Sequence, residues 1–498
     1  MSEATVVTTE ISKGTIANTT YGPIQGKERG GVVLFSGVPY AAPPVGDLRF
    51  KATQAHTGWQ EVRPAIHFSP AAPQLPSGGM TGAQEVKWDE DCLYLNICTP
   101  AVDDKKRPVL FWIHGGAYRN GQGAIPWYNG AEFATNGNMI VVSINYRMGA
   151  LGFMNLSQFG EAFESSGANG TLDQITALKW VKDNIANFGG DPEQITVAGE
   201  SAGAFSVATL MASPLSEGSF KRAIPQSGAG HHTIASAATA EVTKCFMKKS
   251  GASSLDELMA LTADDILKAQ GEVEHTAMMD GIPALGGHLP FYPSEDNFVI
   301  PTSPLERIRA GASANVDVLI GTNKDESTLF VSGKMDENKL QRSAERLGAS
   351  AELIEVYRAC FPEATATDLV VQLQTDYTFR IPAVRLAEAR QEQVGKTFMY
   401  LFTWESRVPN LKSTHALEIP FVFNNLNKAG VSAFIGPGEI PQGVADAMHQ
   451  SWIGFIRDGE PGWETYNTET RTNMRFDETS ETVQDPDDKK RQAWQGIR

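Results

Sequence analysis

The most constraining feature of this 498-residue chain is the pentapeptide Gly-Glu-Ser-Ala-Gly at residues 199–203. It follows a β-branched, apolar segment at residues 194–198, which predicts a buried strand, and it precedes a segment that can continue as a helix. A strand, Gly-x-Ser-x-Gly and a helix in succession are typical of a nucleophile elbow. Only small residues fit two positions either side of the serine in so tight a turn, which accounts for Gly199 and Gly203. We therefore predict that Ser201 is a nucleophile.

Strand-like and helix-like segments alternate along the rest of the chain. This alternation predicts an α/β fold of the α/β-hydrolase type, with a mostly parallel central sheet flanked by helices. We expect one catalytic domain over residues 1–498, with helical insertions at about residues 235–304 and 334–393 that cap the active site. The segments that read as strands are residues 108–113, 139–146, 223–227, 316–320 and 396–403, and those that read as helices include residues 172–188 and 444–456.

Composition and charge exclude several classes of protein. The 42 basic and 58 acidic residues give a net charge of -16, which would repel a phosphate backbone and argues against nucleic-acid binding. No apolar run is long enough to span a bilayer, and the first residues lack the apolar core of a secretory signal, so we expect a cytoplasmic protein. The four cysteines have no metal-site spacing and are expected to be reduced thiols. We expect neither a metal nor an organic cofactor.

The base that would take the serine proton is not fixed by the pattern. In this type of fold the chain order is serine, acid and histidine. His415 is favoured because it lies in a loop soon after the late strand, whereas His449 lies inside a periodic helix and reads as a packing residue. His231 and His232 follow a strand end and could line a pocket. The histidines that follow Ser201 are His231, His232, His275, His288, His415 and His449.

The acid is similarly open between two neighbours. Asp325 and Glu326 stand at the C-terminal end of the strand at residues 316–320, where catalytic groups collect in open α/β sheets. The oxyanion of the reaction needs preorganised N–H donors. Ala202, directly after the serine, predicts one donor, and the Gly-rich loop at residues 114–117 after an apolar strand predicts the others.

Several further blocks resemble the type-B carboxylesterase and cholinesterase family, in particular its bacterial para-nitrobenzyl esterase type. The resemblance covers nearly the whole chain. The matching blocks are Phe-Ser-Gly-Val-Pro-Tyr-Ala at residues 35–41, Glu-Asp-Cys-Leu-Tyr-Leu-Asn-Ile at residues 90–97, Asn-Tyr-Arg at residues 145–147, Asn-Gly-Thr-Leu-Asp-Gln at residues 169–174, Asp-Glu at residues 325–326 and His-Ala-Leu-Glu-Ile-Pro at residues 415–420.

The resemblance implies a role for each candidate. It makes Glu326 the acid and His415 the base, with the N–H groups of Gly116, Ala117 and Ala202 as oxyanion donors. It implies that Ser227 supplies a hydroxyl near the acid and base, and that Glu200 perturbs the site electrostatically without joining the triad. Arg49 with Glu90, and Arg147 with Asp173, are similar to charged pairs that maintain the fold. Residues that flank the catalytic segments and are predicted to line the pocket are Tyr118, His231, Phe330 and Phe421.

The predicted function is hydrolysis of small to medium carboxylic esters through an acyl-enzyme. Alternatives are hydrolysis of carbamates or activated amides, or a non-catalytic adhesion or scaffold role. No cysteine precedes Cys92, so the disulfide of secreted relatives cannot form here, and residues 78–84 lack the tryptophan that holds a choline ester. A histidine base predicts activity that falls as the pH drops through roughly 6.5. Nothing in the sequence indicates the oligomeric state.

Overall fold

A computed structural model describes residues 13–76, 86–279, 281–285 and 288–498. Within these residues the chain forms an eleven-stranded sheet and a separate three-stranded sheet. The strands are β1 Ile16–Thr19, β2 Gly22–Gln25, β3 Lys27–Arg29, β4 Val32–Pro39, β5 Arg63–Pro64, β6 Tyr94–Thr99, β7 Arg107–Ile113, β8 Ile140–Ile144, β9 Gly190–Glu200, β10 Arg222–Gln226, β11 Asp317–Asn323, β12 Thr397–Phe402, β13 Thr472–Phe476 and β14 Glu481–Gln484.

The large sheet is parallel at its centre and antiparallel at its edges. Its order is β14-β13-β12-β11-β10-β9-β7-β8-β6-β4-β3 across the described residues. The strands from β13 to β8 pair in parallel, while β14, β6, β4 and β3 pair antiparallel with their neighbours. Of the central strands, β8 and β10 are buried along their whole length and β7 at every position except Pro108, as expected of parallel strands covered on both faces.

Helices cover both faces of this sheet. They are α1 Ala131–Gly137, α2 Gly149–Phe153, α3 Asn169–Asn184, α4 Ala202–Ala212, α5 Ser236–Ser250, α6 Leu255–Ala260, α7 Ala263–Met279, α8 Pro304–Arg309, α9 Glu337–Arg346, α10 Ala351–Cys360, α11 Ala366–Thr375, α12 Ile381–Ala389, α13 Ile419–Val422, α14 Ser432–Ile435, α15 Gln442–Asp458 and α16 Asp488–Ala493. Two large apolar clusters contain side chains of the sheet, one together with α3 and α4 and the other together with α15.

The predicted fold class is confirmed. The mostly parallel sheet with helices on both faces is present, and helices α5–α7 and α9–α12 fall within the two stretches predicted to be helical insertions. Their role as a cap, and the single-domain boundaries, stay predictions. Element boundaries differ from the predicted ones by up to four residues. Among the strands, the start of the one before the serine differs most: it begins at Gly190, since Arg107 pairs with Gly190 across a register shift that the sequence pattern does not reveal.

Two further observations concern the chemistry of the chain as a whole. All four cysteines are unpaired; Cys92 and Cys98 are buried, and Cys245 and Cys360 are partly exposed. Within the described ranges, no helix is both long enough and apolar enough to cross a membrane.

The strand register places the candidate residues close together at the C-terminal ends of the central parallel strands. Gly199 on β9 pairs with Ile113 on β7, and Glu200 pairs with Gln226 on β10. On the other side of β10, Gln226 pairs with Gly321 of β11. Because the C-terminal ends of parallel strands meet at the same edge, the segments that follow β7, β9, β10, β11 and β12 can converge there.

Candidate active site

Ser201 lies at the turn between β9 and α4 in a strained backbone conformation. Its φ of 56° and ψ of -121° are unusual for a residue with a side chain, and it is 9% exposed. The flanking glycines leave no room for substitution. A Cβ atom at Gly203 would lie 2.1 Å from the carbonyl oxygen of Ile113, and one at Gly199 would lie 2.6 Å from the carbonyl carbon of Gly203. The turn thus has the geometry of a nucleophile elbow.

The loop after β7 lies directly against this turn. A Cβ atom at Gly115 would lie 3.0 Å from the Cβ of Ser201, so the loop backbone is in van der Waals range of the serine. Gly116 has a φ of 109° and a Cβ there would lie 2.0 Å from the carbonyl oxygen of Asn120, so only glycine fits. Ala117 is also left-handed, with a φ of 55°. Ala202 is the first residue of α4, so its N–H has no acceptor within the helix.

His415 and Glu326 form a short contact in the interior. The Nδ1 of His415 lies 2.6 Å from Oε2 of Glu326, and the side chains are 5% and 0% exposed. The other Glu326 oxygen accepts a hydrogen bond of 2.7 Å from the backbone N–H of Asn323. The neighbouring Asp325 instead accepts a hydrogen bond from Gln372. Of the two acid candidates, Glu326 is thus the one in contact with this histidine.

A second carboxylate faces the opposite ring nitrogen. Oε1 of Glu200 lies 3.1 Å from Nε2 of His415, within ion-pair range but without hydrogen-bond geometry. In the described residues no hydrogen bond joins His415 to the Ser201 hydroxyl. Burial alone lowers the pKa of His415, but the carboxylates of Glu200 and Glu326 outweigh it and raise the pKa to about 9. Burial raises the pKa of Glu200 to about 8.

A third buried carboxylate, Glu418, belongs to the same region, and sequence reasoning assigned it no role. Its two oxygens accept hydrogen bonds from Nε2 of Gln226 at 3.1 Å and from Nδ2 of Asn323 at 2.7 Å. Burial, followed by the charge of Glu326, raises the pKa of Glu418 to about 7. Gln226, Asn323 and Glu418 all lie in segments that the sequence singles out, but only their hydrogen bonds show that they form one network.

Two phenylalanines pack on the imidazole of His415. The ring centroid of Phe379 lies 4.7 Å away and that of Phe330 lies 5.2 Å away. Phe330, a predicted pocket residue, is 55% exposed, so it presents an aromatic surface beside the histidine. Phe379 is buried and lies in a π-helical segment, Asp376–Arg380, between α11 and α12. Sequence reasoning missed it, because a π-helical turn leaves no distinctive periodic signal.

Three further predicted residues, Tyr118, Phe421 and Ser227, are buried. Tyr118 is fully buried and accepts a hydrogen bond from Ser206, and Phe421 is fully buried between Phe402 and Trp404. The buried hydroxyl of Ser227 makes no hydrogen bond within the described residues, so the expected link to the acid and base is not visible.

His231 and His449, two of the other histidine candidates, take no part in the contact between His415 and Glu326. His231 is partly buried, and burial lowers its pKa to about 3. His449 is buried in α15, where its Nδ1 lies 2.8 Å from the carbonyl oxygen of Val422, as a packing residue would be. The loop at residues 78–84 lies outside the described residues. The predicted structural pairs are both present: Arg49 contacts Glu90, and Arg147 contacts Asp173 at 2.8 Å.

Comparisons with known proteins give one consistent result. Residues 13–494 match the model of the carboxylesterase family. A para-nitrobenzyl esterase of Bacillus subtilis is 37% identical over 96% of this chain and 98% of its own length. A phenmedipham hydrolase of Pseudarthrobacter oxydans is 35% identical over 90% of each chain. Among solved structures, the carboxylesterase EST55 of Geobacillus stearothermophilus is similar with a TM-score of 0.87 and 37% identity, over 96% of this chain and 100% of that chain.

Proposed function

This chain belongs to the carboxylesterase family and is a carboxylesterase of the α/β-hydrolase fold, and we propose that it cleaves its esters through a Ser201–His415–Glu326 triad and an acyl-enzyme. The observation that carries this proposal is the 2.6 Å contact between His415 and Glu326, buried in the same region as the strained serine turn. A carboxylate on Nδ1 fixes the tautomer of the imidazole so that Nε2 is free to accept a proton.

In the proposed reaction, Ser201 attacks the ester carbonyl while Nε2 of His415 takes the hydroxyl proton. A C–O bond forms to the serine, and the carbonyl electrons move to oxygen. His415 then gives its proton to the leaving alkoxide as the ester C–O bond breaks, which leaves an acyl-enzyme and a free alcohol. Water repeats the cycle, so the acid leaves and the serine regains its proton. Within the part of the chain that the structure describes, Nε2 makes no hydrogen bond to Glu200, which in this proposal leaves it available to accept the Ser201 proton.

The tetrahedral oxyanion is stabilised in this proposal by the N–H groups of Gly116, Ala117 and Ala202. Support comes from the left-handed backbone at Gly116 and Ala117, which turns the loop beside Ser201, and from the position of Ala202 at the N-terminus of α4. Preorganised donors of this kind are worth roughly a hundredfold to a thousandfold in turnover each.

We propose small to medium carboxylic esters as substrates. The exposed ring of Phe330 beside His415 offers an apolar, aromatic surface to one side of the reacting ester. The relative named para-nitrobenzyl esterase supports the use of para-nitrobenzyl esters as probes for this surface.

The decisive experiment compares Ser201→Ala with a matched variant, Ser216→Ala, on para-nitrophenyl acetate. Both serines are buried, but the Ser216 hydroxyl donates a hydrogen bond to the Leu210 carbonyl at the C-terminal end of α4, away from the serine turn. We expect a normally folded Ser201→Ala protein without turnover and without an acyl adduct in intact-mass spectra of quenched reactions. Ser216→Ala should form the adduct as the wild type does. Turnover retained by Ser201→Ala would refute the nucleophile assignment.

A panel of esters varied separately in acyl and alcohol length then tests the substrate class. The panel includes para-nitrobenzyl esters, a carbamate and an activated amide with the same leaving group. We expect the short and medium esters to have the highest kcat/KM. Faster turnover of the carbamate or the amide would show that the proposed substrate class is wrong.

A further inference from the structure

Asn323 connects the acid and the base through three hydrogen bonds. It is the last residue of β11 and is fully buried. Its backbone N–H donates to Oε1 of Glu326 at 2.7 Å. Its side-chain Nδ2 donates to the carbonyl oxygen of Thr414 at 2.7 Å and to Oε2 of Glu418 at 2.7 Å. The side-chain amide of Asn323 therefore bonds to Thr414 and Glu418, on either side of His415 in the chain. The backbone N–H of Asn323 bonds to Glu326.

The network continues from Glu418 to the nucleophile turn. The other Glu418 oxygen accepts from Nε2 of Gln226 at 3.1 Å, and Oε1 of Gln226 accepts from the indole N–H of Trp452 at 3.0 Å. The backbone carbonyl of Gln226 accepts the N–H of Ser201 at 3.0 Å. The backbone carbonyl of Gln226 thus supports the serine turn, as the backbone N–H of Asn323 supports Glu326. Glu418 accepts hydrogen bonds from the side-chain amides of both residues.

The type of side chain at position 323 is decisive for this arrangement. A primary amide has two N–H donors, which here satisfy a carbonyl and a carboxylate at once. An aspartate of the same shape could donate to neither while ionised. An alanine would leave Oε2 of Glu418 without its donor and the Thr414 carbonyl with only the longer hydrogen bond, 3.3 Å, from the Leu417 N–H. A buried acceptor that loses its donor is strongly disfavoured, so the segment from Thr414 to Glu418 would move to find another partner.

We propose that Asn323 is a positioning residue for the reaction: it holds the segment that carries His415 against Glu326, and Gln226 and Glu418 extend this support to the turn that carries Ser201. The proposal rests on the triad put forward above. Asn323 is not proposed to touch substrate. It acts by fixing the distance and angle between the base and the acid, and misplacement of such a group by about 1 Å can cost on the order of a hundredfold in rate.

The first test compares Asn323→Ala with Asn184→Ala. Asn184 is also a fully buried asparagine, with three hydrogen bonds, but it ends α3 beside the N-terminal end of β9, at the opposite edge of the sheet. We expect kcat of Asn323→Ala to fall about 10- to 100-fold with KM changed less than about twofold. Asn184→Ala should lose thermal stability and keep kcat. Equal kcat in the two variants would overturn the proposal.

A second test asks whether the loss acts through the triad acid. In a Glu326→Gln background the alignment is already lost, so adding Asn323→Ala should lower kcat by no more than about threefold. The same loss in both backgrounds would overturn the proposal. Inactivity of His415→Ala together with full activity of Asn323→Ala would also overturn it while leaving the triad intact. Full activity of His415→Ala would refute the triad itself.

A reciprocal exchange keeps the proposal testable if Asn323→Ala does not fold. Glu418→Gln alone turns an N–H group toward the Asn323 or Gln226 donor, and Asn323→Asp alone sets two carboxylates together. In the double variant Asn323→Asp/Glu418→Gln, the new amide donates to Asp and still accepts from Gln226. We expect the double variant to have a kcat about tenfold above the Asn323→Asp variant. A double variant no more active than the worse single variant would overturn the proposal.

Discussion

Oε1 of Glu200 lies 3.1 Å from Nε2 of His415, the ring nitrogen that the proposed mechanism uses for proton transfer. With Glu326 on Nδ1 at 2.6 Å, the buried imidazole is placed between two carboxylates. Both carboxylates favour the imidazolium, which is why the pKa of His415 is raised to about 9 although burial opposes it. The imidazolium is the state that forms as Ser201 is deprotonated, so the same charges stabilise the charge that develops on His415 in the proposed transition state.

The first prediction concerns the pH dependence of kcat/KM. The flanking carboxylates raise the pKa of His415 to about 9, so the imidazole becomes available as a base at a higher pH than a free histidine does. The acid limb of the profile should therefore lie above the value of roughly 6.5 expected from the sequence alone. Glu200→Gln removes one of the two charges, so the pKa of His415 should fall and the limb should move to lower pH. Profiles of kcat/KM for both proteins measure this shift.

A matched control for this prediction is Glu405→Gln. Glu405 is half-exposed and pairs with Lys324 at the surface, so its removal should leave the limb in place. If the acid limb of the wild type lay near pH 6.5 and Glu200→Gln did not move it, Glu200 would not be raising the pKa of His415.

The second prediction distinguishes two buried histidines. His415→Ala should abolish nearly all turnover, because the proposed base is lost, by a factor on the order of ten thousand or more. His449→Ala should keep kcat and lose only stability, since its ring packs 4.5 Å from Phe133 and bonds the Val422 carbonyl. Steady-state kinetics and thermal unfolding of both variants test this. A larger loss of kcat in His449→Ala than in His415→Ala would show that His415 is not the base.

Much of the fold and part of the site are readable from the sequence, for identifiable reasons. The serine turn is local, so its residues Gly199 to Gly203 carry its steric demands in the chain itself. The contact between His415 and Glu326 spans 89 positions and cannot be read from either segment alone. The pattern favours His415 and leaves Asp325 and Glu326 open, and the family resemblance chooses between the two acids. Asn323 was invisible as a support, because its role depends on acceptors in a loop after a different strand.

The third prediction concerns the stability of the fold. Asp173 is fully buried and accepts two hydrogen bonds of 2.8 Å from the guanidinium of Arg147, as well as one of 3.0 Å from its backbone N–H. Asp173→Ala would leave a buried guanidinium unpaired, at a cost of about 3–5 kcal/mol in the free energy of unfolding. Asp458→Ala breaks an exposed pair with Arg457 and should cost less than about 1 kcal/mol. Equilibrium unfolding in urea that gave both variants the same stability would contradict the expected fold-keeping role.

The fourth prediction concerns the space around the serine turn. Gly203 and Gly443 are both helical glycines without a positive φ, so neither is needed for backbone freedom. A Cβ at Gly203 would meet the Ile113 carbonyl oxygen at 2.1 Å, whereas one at Gly443 would meet nothing within 4 Å. Gly203→Ala should therefore push α4 away from β7, displace Ser201 and lower both the thermal midpoint and kcat. Gly443→Ala should raise the free energy of unfolding by up to about 1 kcal/mol, because alanine favours the helix. If Gly203→Ala kept wild-type kcat and thermal midpoint, the close contact between the elbow and the loop after β7 would not be a constraint on the site.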